Sequence, residues 1–126
     1  MKITPVLIVD KIETALPFWV DRLGFEKIVE VPEGDKLGFV ILTHNGAELM
    51  LQTRASVEKD TPQFAPASPS NQTALFVEVD DFEDIVKRLK GYPIAMPERI
   101  AFYGMREIGV FDPNGHILVF ATRIGQ

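Results

Sequence analysis

The segment Val9-Asp10-Lys11-Ile12-Glu13 recurs about seventy residues later as Val79-Asp80-Asp81-Phe82-Glu83, and this repeat decides the fold. A second pair of matching segments lies further along: Asn45-Gly46 before Leu49 and Leu51, and Asn114-Gly115 before Leu118 and Phe120. An Asp before an apolar helical pattern is typical of a helix start, and Asn-Gly marks a tight hairpin turn. Each half therefore predicts a strand, a helix and three further strands.

The two halves predict an α+β fold of two tandem βαβββ modules within one domain of 126 residues. We expect the modules to form a curved mixed sheet with helices on its outer face. The first module is assigned to about residues 1–53 and the second to about residues 72–126. The stretch between them, about residues 54–71, is rich in proline and is interpreted as a linker.

The first helix is predicted to span Asp10 to Leu23, because its apolar residues recur on one face. Trp19 is one of them and is expected to anchor the helix in the core. Pro17 removes a backbone donor, so we expect either a kink there or a later helix start, toward Glu13 or Thr14. Gly24 predicts the end of the helix.

The composition excludes several classes of function. The net charge of -5 and the pI near 5.0 argue against nucleic acid and anionic membranes as partners. The chain has no cysteine, which excludes disulfides and thiolate metal sites. Neither a signal-peptide pattern nor an apolar run of membrane-spanning length is visible, so a cytoplasmic location is expected.

Alternation along the strands separates two faces of each module's sheet. One face is apolar and is expected to pack on the helices. The other is mixed and carries Thr4, Val6, Ile8, Glu48, Met50, Gln52, Ala74, Phe76, Glu78, Ile117, Val119 and Ala121. A mixed, concave surface suits a small-molecule pocket. The alternative is a face that a second subunit covers or that water partly solvates.

Several motifs resemble those of the vicinal oxygen chelate superfamily. They are Asp10 to Trp19 with Leu23-Gly24-Phe25, then Phe76 to Asp81, then Tyr103 to Glu107, and finally Phe111-Asp112-Pro113-Asn114-Gly115-His116. The match covers nearly the whole chain with the motifs in the family's order. The resemblance implies a homodimer with clefts completed by two chains.

The enzymes of that superfamily hold a divalent metal with His or Glu on the cavity face. Carried onto this chain, those positions fall at Thr4, Met50, Ala74 and Val119; a shift of two residues would replace Met50 by Glu48. Divalent metals need imidazole or carboxylate ligands, which most of these residues lack. The chain therefore looks closer to the metal-free bleomycin resistance branch, and we predict no metal and no cofactor.

Eight residues are predicted to bind the ligand, and no catalytic residue is assigned. They are Glu48, Met50, Gln52, Phe76, Glu78, Val119, Tyr103 and Arg106. The carboxylates would supply charge, the amide a hydrogen bond, and the apolar side chains the lining. Tyr103 is a candidate for stacking and Arg106 for the pocket mouth. The alternatives are rim positions in water for the carboxylates, packing beneath a loop for Tyr103, and a salt bridge or solvated strand edge for Arg106-Glu107.

Other polar residues have simpler interpretations. His44 and His116 lie at hairpin turns and are interpreted as solvent-exposed turn residues, with a general base or a metal ligand as the alternative. Asp80-Asp81 is interpreted as an N-terminal helix signal.

The function predicted first is binding and sequestering of a small, partly apolar ligand, for which a cation is one candidate. The second is a lyase, isomerase or dioxygenase of the same fold, with a metal held by Glu48 and by Glu78 or His116. The third is a structural or regulatory module with a plugged groove.

Overall fold

The structure is a computed structural model that describes residues 2–64 and 73–125. The chain divides into two compact units, Met1–Pro69 and Ser70–Gln126. The first contains β1 (Val6–Val9), α1 (Ile12–Leu16), a π-helical segment (Pro17–Arg22), β2 (Glu26–Glu33), β3 (Lys36–His44), β4 (Ala47–Thr53), α2 (Arg54–Asp60) and a 3-10 turn (Pro62–Phe64). The second contains β5 (Ala74–Glu78), α3 (Phe82–Arg88), β6 (Met96–Ile100), β7 (Met105–Phe111) and β8 (Ile117–Arg123).

Each unit forms its own four-stranded mixed sheet, and the two sheets have the same topology. The strand orders are β1-β4-β3-β2 and β5-β8-β7-β6. The first strand of each module pairs in parallel with the last, and the other pairings are antiparallel. This confirms the predicted α+β fold of two tandem βαβββ modules.

One face of each sheet packs on a helix, as the alternation predicts. In the first module Leu7, Leu51 and Val40 lie side by side on three strands and are buried, under the contacts of α1 with β3 and β4. In the second, Leu118 and Val110 are paired and buried in the same way, and α3 contacts β8. Burial of these apolar rows stabilises each module.

The first helix begins at Ile12, between the predicted start at Asp10 and the alternative start at Glu13 or Thr14. Pro17 does not end the helix, because the chain widens there into a π-helical segment in which proline takes the first position with a helical φ of -56°. The Leu23 N–H then donates to the Phe18 carbonyl oxygen, five residues back, at 3.1 Å. Gly24 follows at φ +85°, which supports its interpretation as the helix stop.

The predicted linker begins with a helix rather than with irregular chain. The Thr53 hydroxyl accepts a hydrogen bond from the Ser56 N–H at 3.1 Å and caps α2, while Val57 is buried beneath the helix. The prolines that suggested a linker therefore do not prevent the first seven residues from forming a helix. The rest of this stretch, from residue 65 on, lies outside the described residues, as does Gln72, where the fifth strand was predicted to start.

A carboxylate on α1 fastens the turn between β2 and β3. Glu13 Oε2 accepts the Leu37 N–H at 2.8 Å, and this hydrogen bond lowers the pKa of Glu13. A carboxyl group with a lowered pKa stabilises the fold at neutral pH, and that contribution is lost as the pH falls through the folded-state pKa.

We therefore expect Glu13→Gln to lower the free energy of unfolding by about 1 kcal/mol at pH 7, because a neutral amide is the weaker acceptor. The difference should shrink below the ordinary carboxyl pKa of 4.5, where Glu13 itself takes up a proton. Urea unfolding at pH 7 and pH 3 measures it. Glu58→Gln, on the exposed side of α2, is the control and should show a small difference that does not follow this pH course.

Candidate functional site

The first module has an open sheet face, opposite α1, that consists of rows of residues from neighbouring strands. One row runs Ile8, Gln52, Phe39 and Val31, and the next runs Val6, Met50, Ile41 and Val29. Glu48, Thr43 and Glu26 form a third. The face therefore brings together the predicted residues Glu48, Met50 and Gln52, each half-buried.

The second module has the corresponding face. Its rows are Glu78, Ala121, Glu107 and Arg99; Phe76, Val119, Gly109 and Met96; and Ala74, Ile117 and Phe111. The predicted residues Phe76, Glu78 and Val119 share this face. Phe76 is 51% exposed, and no partner for the Glu78 carboxylate is found among the described residues.

A groove of about 550 Å³ opens on the first module where its open face meets α2. It is lined by Val31, Pro32, Glu33, Gly38, Phe39, Gln52, Ser56, Lys59 and Asp60. Gln52 donates to the Ser56 hydroxyl at 3.1 Å, which fixes its amide at the groove wall. The Lys59 ammonium lies 3.5 Å from the Glu33 carboxylate at the rim. The groove thus offers an amide, an aromatic ring and a charged rim to a small ligand.

Glu48 has a partner of its own. Its carboxylate lies 3.3 Å from the ammonium of Lys2, which is largely exposed. An exposed pair of this kind contributes little energy and exchanges readily with solvent. Glu48 is therefore compensated in the free protein, which leaves Glu78 as the uncompensated carboxylate of the two predicted.

Arg106 lies on the other face of the second module and does not join the predicted set. Its guanidinium pairs with Glu83 of α3 and with Glu98 at 2.8 Å, and stacks 4.6 Å from the centroid of the Phe82 ring. The two carboxylates raise the pKa of Arg106. Strand alternation explains the placement, because Arg106 pairs with Thr122, on the same side as Phe120.

The residue beside it, Glu107, is fully buried on the open face, so the solvated strand edge considered for it is wrong and the salt bridge is confirmed. Its Oε1 accepts from Nε and Nη2 of Arg99, both at 3.0 Å, and its Oε2 accepts from the Tyr103 hydroxyl. The hydrogen bond to Glu107 raises the pKa of Arg99 and also that of Tyr103. Tyr103 is among the residues predicted from the sequence but Arg99 is not, since nothing local indicates that β6 and β7 pair at this register.

His116 is buried, so its interpretation as a solvent-exposed turn residue is wrong. Its Nδ1 lies 3.0 Å from both carboxylate oxygens of Asp112, and its backbone N–H donates to Asp112 Oδ1 at 2.8 Å. The turn residue folds back onto its own turn, which hides the ring. His44, at the equivalent turn, stays partly exposed, with Nε2 at 3.2 Å from Asn45 Nδ2.

The residues that the resemblance places at the family's metal positions do not fit a divalent ion. Met50 lies between Val6 and Ile41, and Val119 lies between Phe76 and Gly109. A thioether and a methyl-bearing side chain offer no hard donor, and neither does Ala74, while Thr4 offers only a hydroxyl. Within the described part of each module, no three His, Cys, Asp or Glu side chains come together as a ligand set.

The fold and these rows of residues define a member of a known class. The family model described as Glyoxalase/Bleomycin resistance protein/Dioxygenase superfamily matches residues 3–120. The chain belongs to this superfamily, as the motifs predicted. A search of curated proteins returned no significant match.

Solved structures of low sequence identity share the fold. A glyoxalase/bleomycin resistance protein/dioxygenase from Nocardioides is 22% identical, with a TM-score of 0.75, and the match covers 100% of this chain and 89% of that one. A bleomycin resistance determinant encoded on transposon Tn5 is 18% identical over 99% of each chain, with a TM-score of 0.72. A lactoylglutathione lyase from Agrobacterium tumefaciens is 16% identical over 97% of this chain and 92% of that one, with a TM-score of 0.75.

A search for helices able to cross a membrane finds none in residues 2–64 and 73–125.

Proposed function

We propose that the protein binds and sequesters a small, cationic, partly apolar molecule without the help of a metal. The observation that carries the proposal is the pair Phe76 and Glu78, two residues apart on the open face of β5. An exposed aromatic ring beside an uncompensated carboxylate attracts a cation through both the ring face and the charge.

The surroundings of this pair suit an apolar body attached to the cation. Val119 pairs with Phe76 and is half-buried, so its apolar side chain continues the surface across the sheet. Met50 stands at the position of the first module that corresponds to Val119. At three of the four positions where the resemblance places metal ligands, this chain carries the apolar residues Met50, Ala74 and Val119.

Homodimerisation is part of the proposal. The open face of the first module exposes Val6, Val29 and Val31 at 44%, 39% and 47%. A second copy that covered such a face would remove this apolar area from water and enclose a ligand. A cytoplasmic location stays a prediction.

The test is a thermal-shift titration with benzyltrimethylammonium, which has a positive charge, an aromatic ring and no N–H donor. We expect the melting temperature to rise as the concentration of benzyltrimethylammonium increases. Glu78→Gln and Phe76→Ala should each weaken binding about fivefold, because each removes about 1 kcal/mol of cation attraction. EDTA or added Mg²⁺, Mn²⁺ or Zn²⁺ should leave binding unchanged.

Matched controls come from the first module. Glu58→Gln removes an exposed carboxylate, and Phe64→Ala removes a ring that is 73% exposed; both should bind as the wild type does. Benzyl alcohol serves as the uncharged probe. A stoichiometric divalent ion in the purified protein, or binding that requires one, would contradict the proposal and favour the lyase, isomerase or dioxygenase alternative.

A further inference from the structure

Glu107 is a fully buried carboxylate on the second module's sheet face that also carries the exposed residues Phe76, Glu78 and Arg99. Two side chains close over it: the Arg99 guanidinium, at 3.0 Å from Oε1, and the Tyr103 hydroxyl on Oε2. Both lie in the same module, and both are partly exposed, with the Arg99 side chain at 54% and Tyr103 at 46%. Both polar partners of the buried carboxylate therefore themselves reach the surface.

The contact between Arg99 and Glu107 has the form of a ligand complex. A planar guanidinium presents several N–H donors to a carboxylate in a fixed geometry, and a free amidinium or guanidinium presents the same fork. A ligand with such a group would find at Glu107 the acceptor that Arg99 now uses. Exchange of one planar cation for another leaves the buried charge compensated throughout.

Arg99 is placed where it can leave. It lies on β6, an edge strand of the second module's sheet that pairs with β7 alone among the described strands. The ladder is irregular between Met96 and Arg99, where Pro97 cannot donate a backbone hydrogen bond. Because the Arg99 side chain is already 54% exposed, moving it fully into water costs less than it would from the core.

An apolar surface lies beside this carboxylate. Phe102 is 100% exposed and makes an edge-to-face contact with Tyr103, with the ring centroids 5.0 Å apart. Side chains of this kind would cover the aromatic body of a planar cation whose charged end reaches Glu107.

We propose that Glu107 anchors the amidinium or guanidinium of an aromatic ligand, and that Arg99 occupies this anchor in the free protein. The inference rests on the proposed function and narrows its ligand to planar cations with N–H donors. Arg99 is then a built-in competitor. The apparent affinity for the ligand equals its intrinsic affinity for the open anchor multiplied by the fraction of molecules in which Arg99 has left the anchor.

The experiment is calorimetric titration with benzamidine at pH 7. We expect Arg99→Gln to bind benzamidine about tenfold more tightly than the wild type, as for an anchor that is open about a tenth of the time. Glu107→Gln should lose detectable binding. Benzamide, the neutral analogue, should bind no variant.

Arg106→Gln is the matched control. It removes the same charge from the same module and the same pair of strands, but from the helix-packed face, and it should bind benzamidine as the wild type does. Equal affinity of Arg99→Gln and Arg106→Gln, or binding that survives in Glu107→Gln, would overturn the inference. If circular dichroism shows that Arg99→Gln does not fold, Arg99→Lys decides. It keeps the charge but not the fork, and we expect about threefold tighter binding; no gain over the wild type overturns the inference.

The two proposals fail separately. Benzyltrimethylammonium has no N–H to donate to Glu107, so its binding reports on Phe76 and Glu78 and should not change in Arg99→Gln. Loss of that binding with an intact Arg99 effect would remove the proposed function and leave the planar-cation anchor. If benzyltrimethylammonium binds as expected but Arg99→Gln does not change benzamidine binding, only the proposal of an anchor at Glu107 is contradicted.

Discussion

Replacing Trp19 with alanine is expected to lower the free energy of unfolding by about 3–5 kcal/mol, the usual cost of truncating a large buried aromatic residue. Trp19 is 2% exposed and lies in the π-helical segment. It makes edge-to-face contacts with Phe18 and Phe25, with ring centroids at 5.1 Å and 5.4 Å. Removing the indole deletes both of these ring contacts and opens a cavity in the core. Guanidinium chloride unfolding followed by circular dichroism measures the loss.

Trp19→Phe separates ring packing from indole chemistry. The Trp19 Nε1–H is buried and has no hydrogen-bond partner among the described residues, and an unsatisfied buried donor costs about 1–3 kcal/mol. Phenylalanine removes that donor while it keeps a ring, so its lost volume is partly offset and the net change should stay within about 1.5 kcal/mol. A loss below 1.5 kcal/mol for Trp19→Ala would show that the indole does not anchor this core.

The strands could be predicted from the sequence because their signals are local. Strands β4 (Ala47–Thr53) and β7 (Met105–Phe111) lie within stretches that the sequence pattern already marks as strands. Regular alternation with a glycine before the strand decides such segments. Helix α2 was missed because prolines follow it, from Pro62 onward, and led to the interpretation of the whole stretch as a linker. The signal that could have found it is Thr53, a good N-cap residue, followed by a short run with one buried apolar position.

Period-two alternation along the strands predicts which site residues share a face of the sheet. That rule placed six of the eight predicted residues on the open faces: Glu48, Met50, Gln52, Phe76, Glu78 and Val119. The same rule applied to the seventh strand would have separated Arg106 from Glu107, since neighbours on a strand point to opposite faces. The pairing of Glu107 with Arg99 could not be derived, because it depends on a ladder irregularity at Pro97 that shifts the register.

The burial of His116 marks another limit of sequence analysis. Asp112-Pro113-Asn114-Gly115 indicates a turn, and turns usually lie in water, which led to the wrong expectation for the residue that follows. The Asp112 carboxylate accounts for the burial of His116. Asp112 is 3% exposed, and its carboxylate accepts the backbone N–H groups of Asn114 and His116. An Asp before Pro-Asn-Gly is common in open turns as well, so the residue types alone do not decide whether the residue after the turn is buried or exposed.

Asp112→Ala is expected to lower the free energy of unfolding by about 2–4 kcal/mol, because several buried donors lose one acceptor at once. Asp112 Oδ1 accepts the Asn114 N–H at 2.9 Å and the His116 N–H at 2.8 Å, and the carboxylate also contacts the His116 ring. Without it, the β7–β8 turn must either bury unpaired N–H groups or open and expose His116. Urea unfolding and amide hydrogen exchange of Asn114 and His116 report on the two outcomes.

Asp81→Ala is the matched control, because Asp81 also accepts a backbone N–H from a nearby residue, that of Asp84 at 3.0 Å, but does so at an exposed helix start. Loss of such a cap costs about 1 kcal/mol, since water replaces the carboxylate. Asp112→Asn keeps one oxygen acceptor and should fall between the two. If Asp112→Ala costs no more than Asp81→Ala, the turn does not depend on the buried carboxylate. A larger cost at Asp112 would show that burial of the carboxylate increases its contribution to the free energy of unfolding.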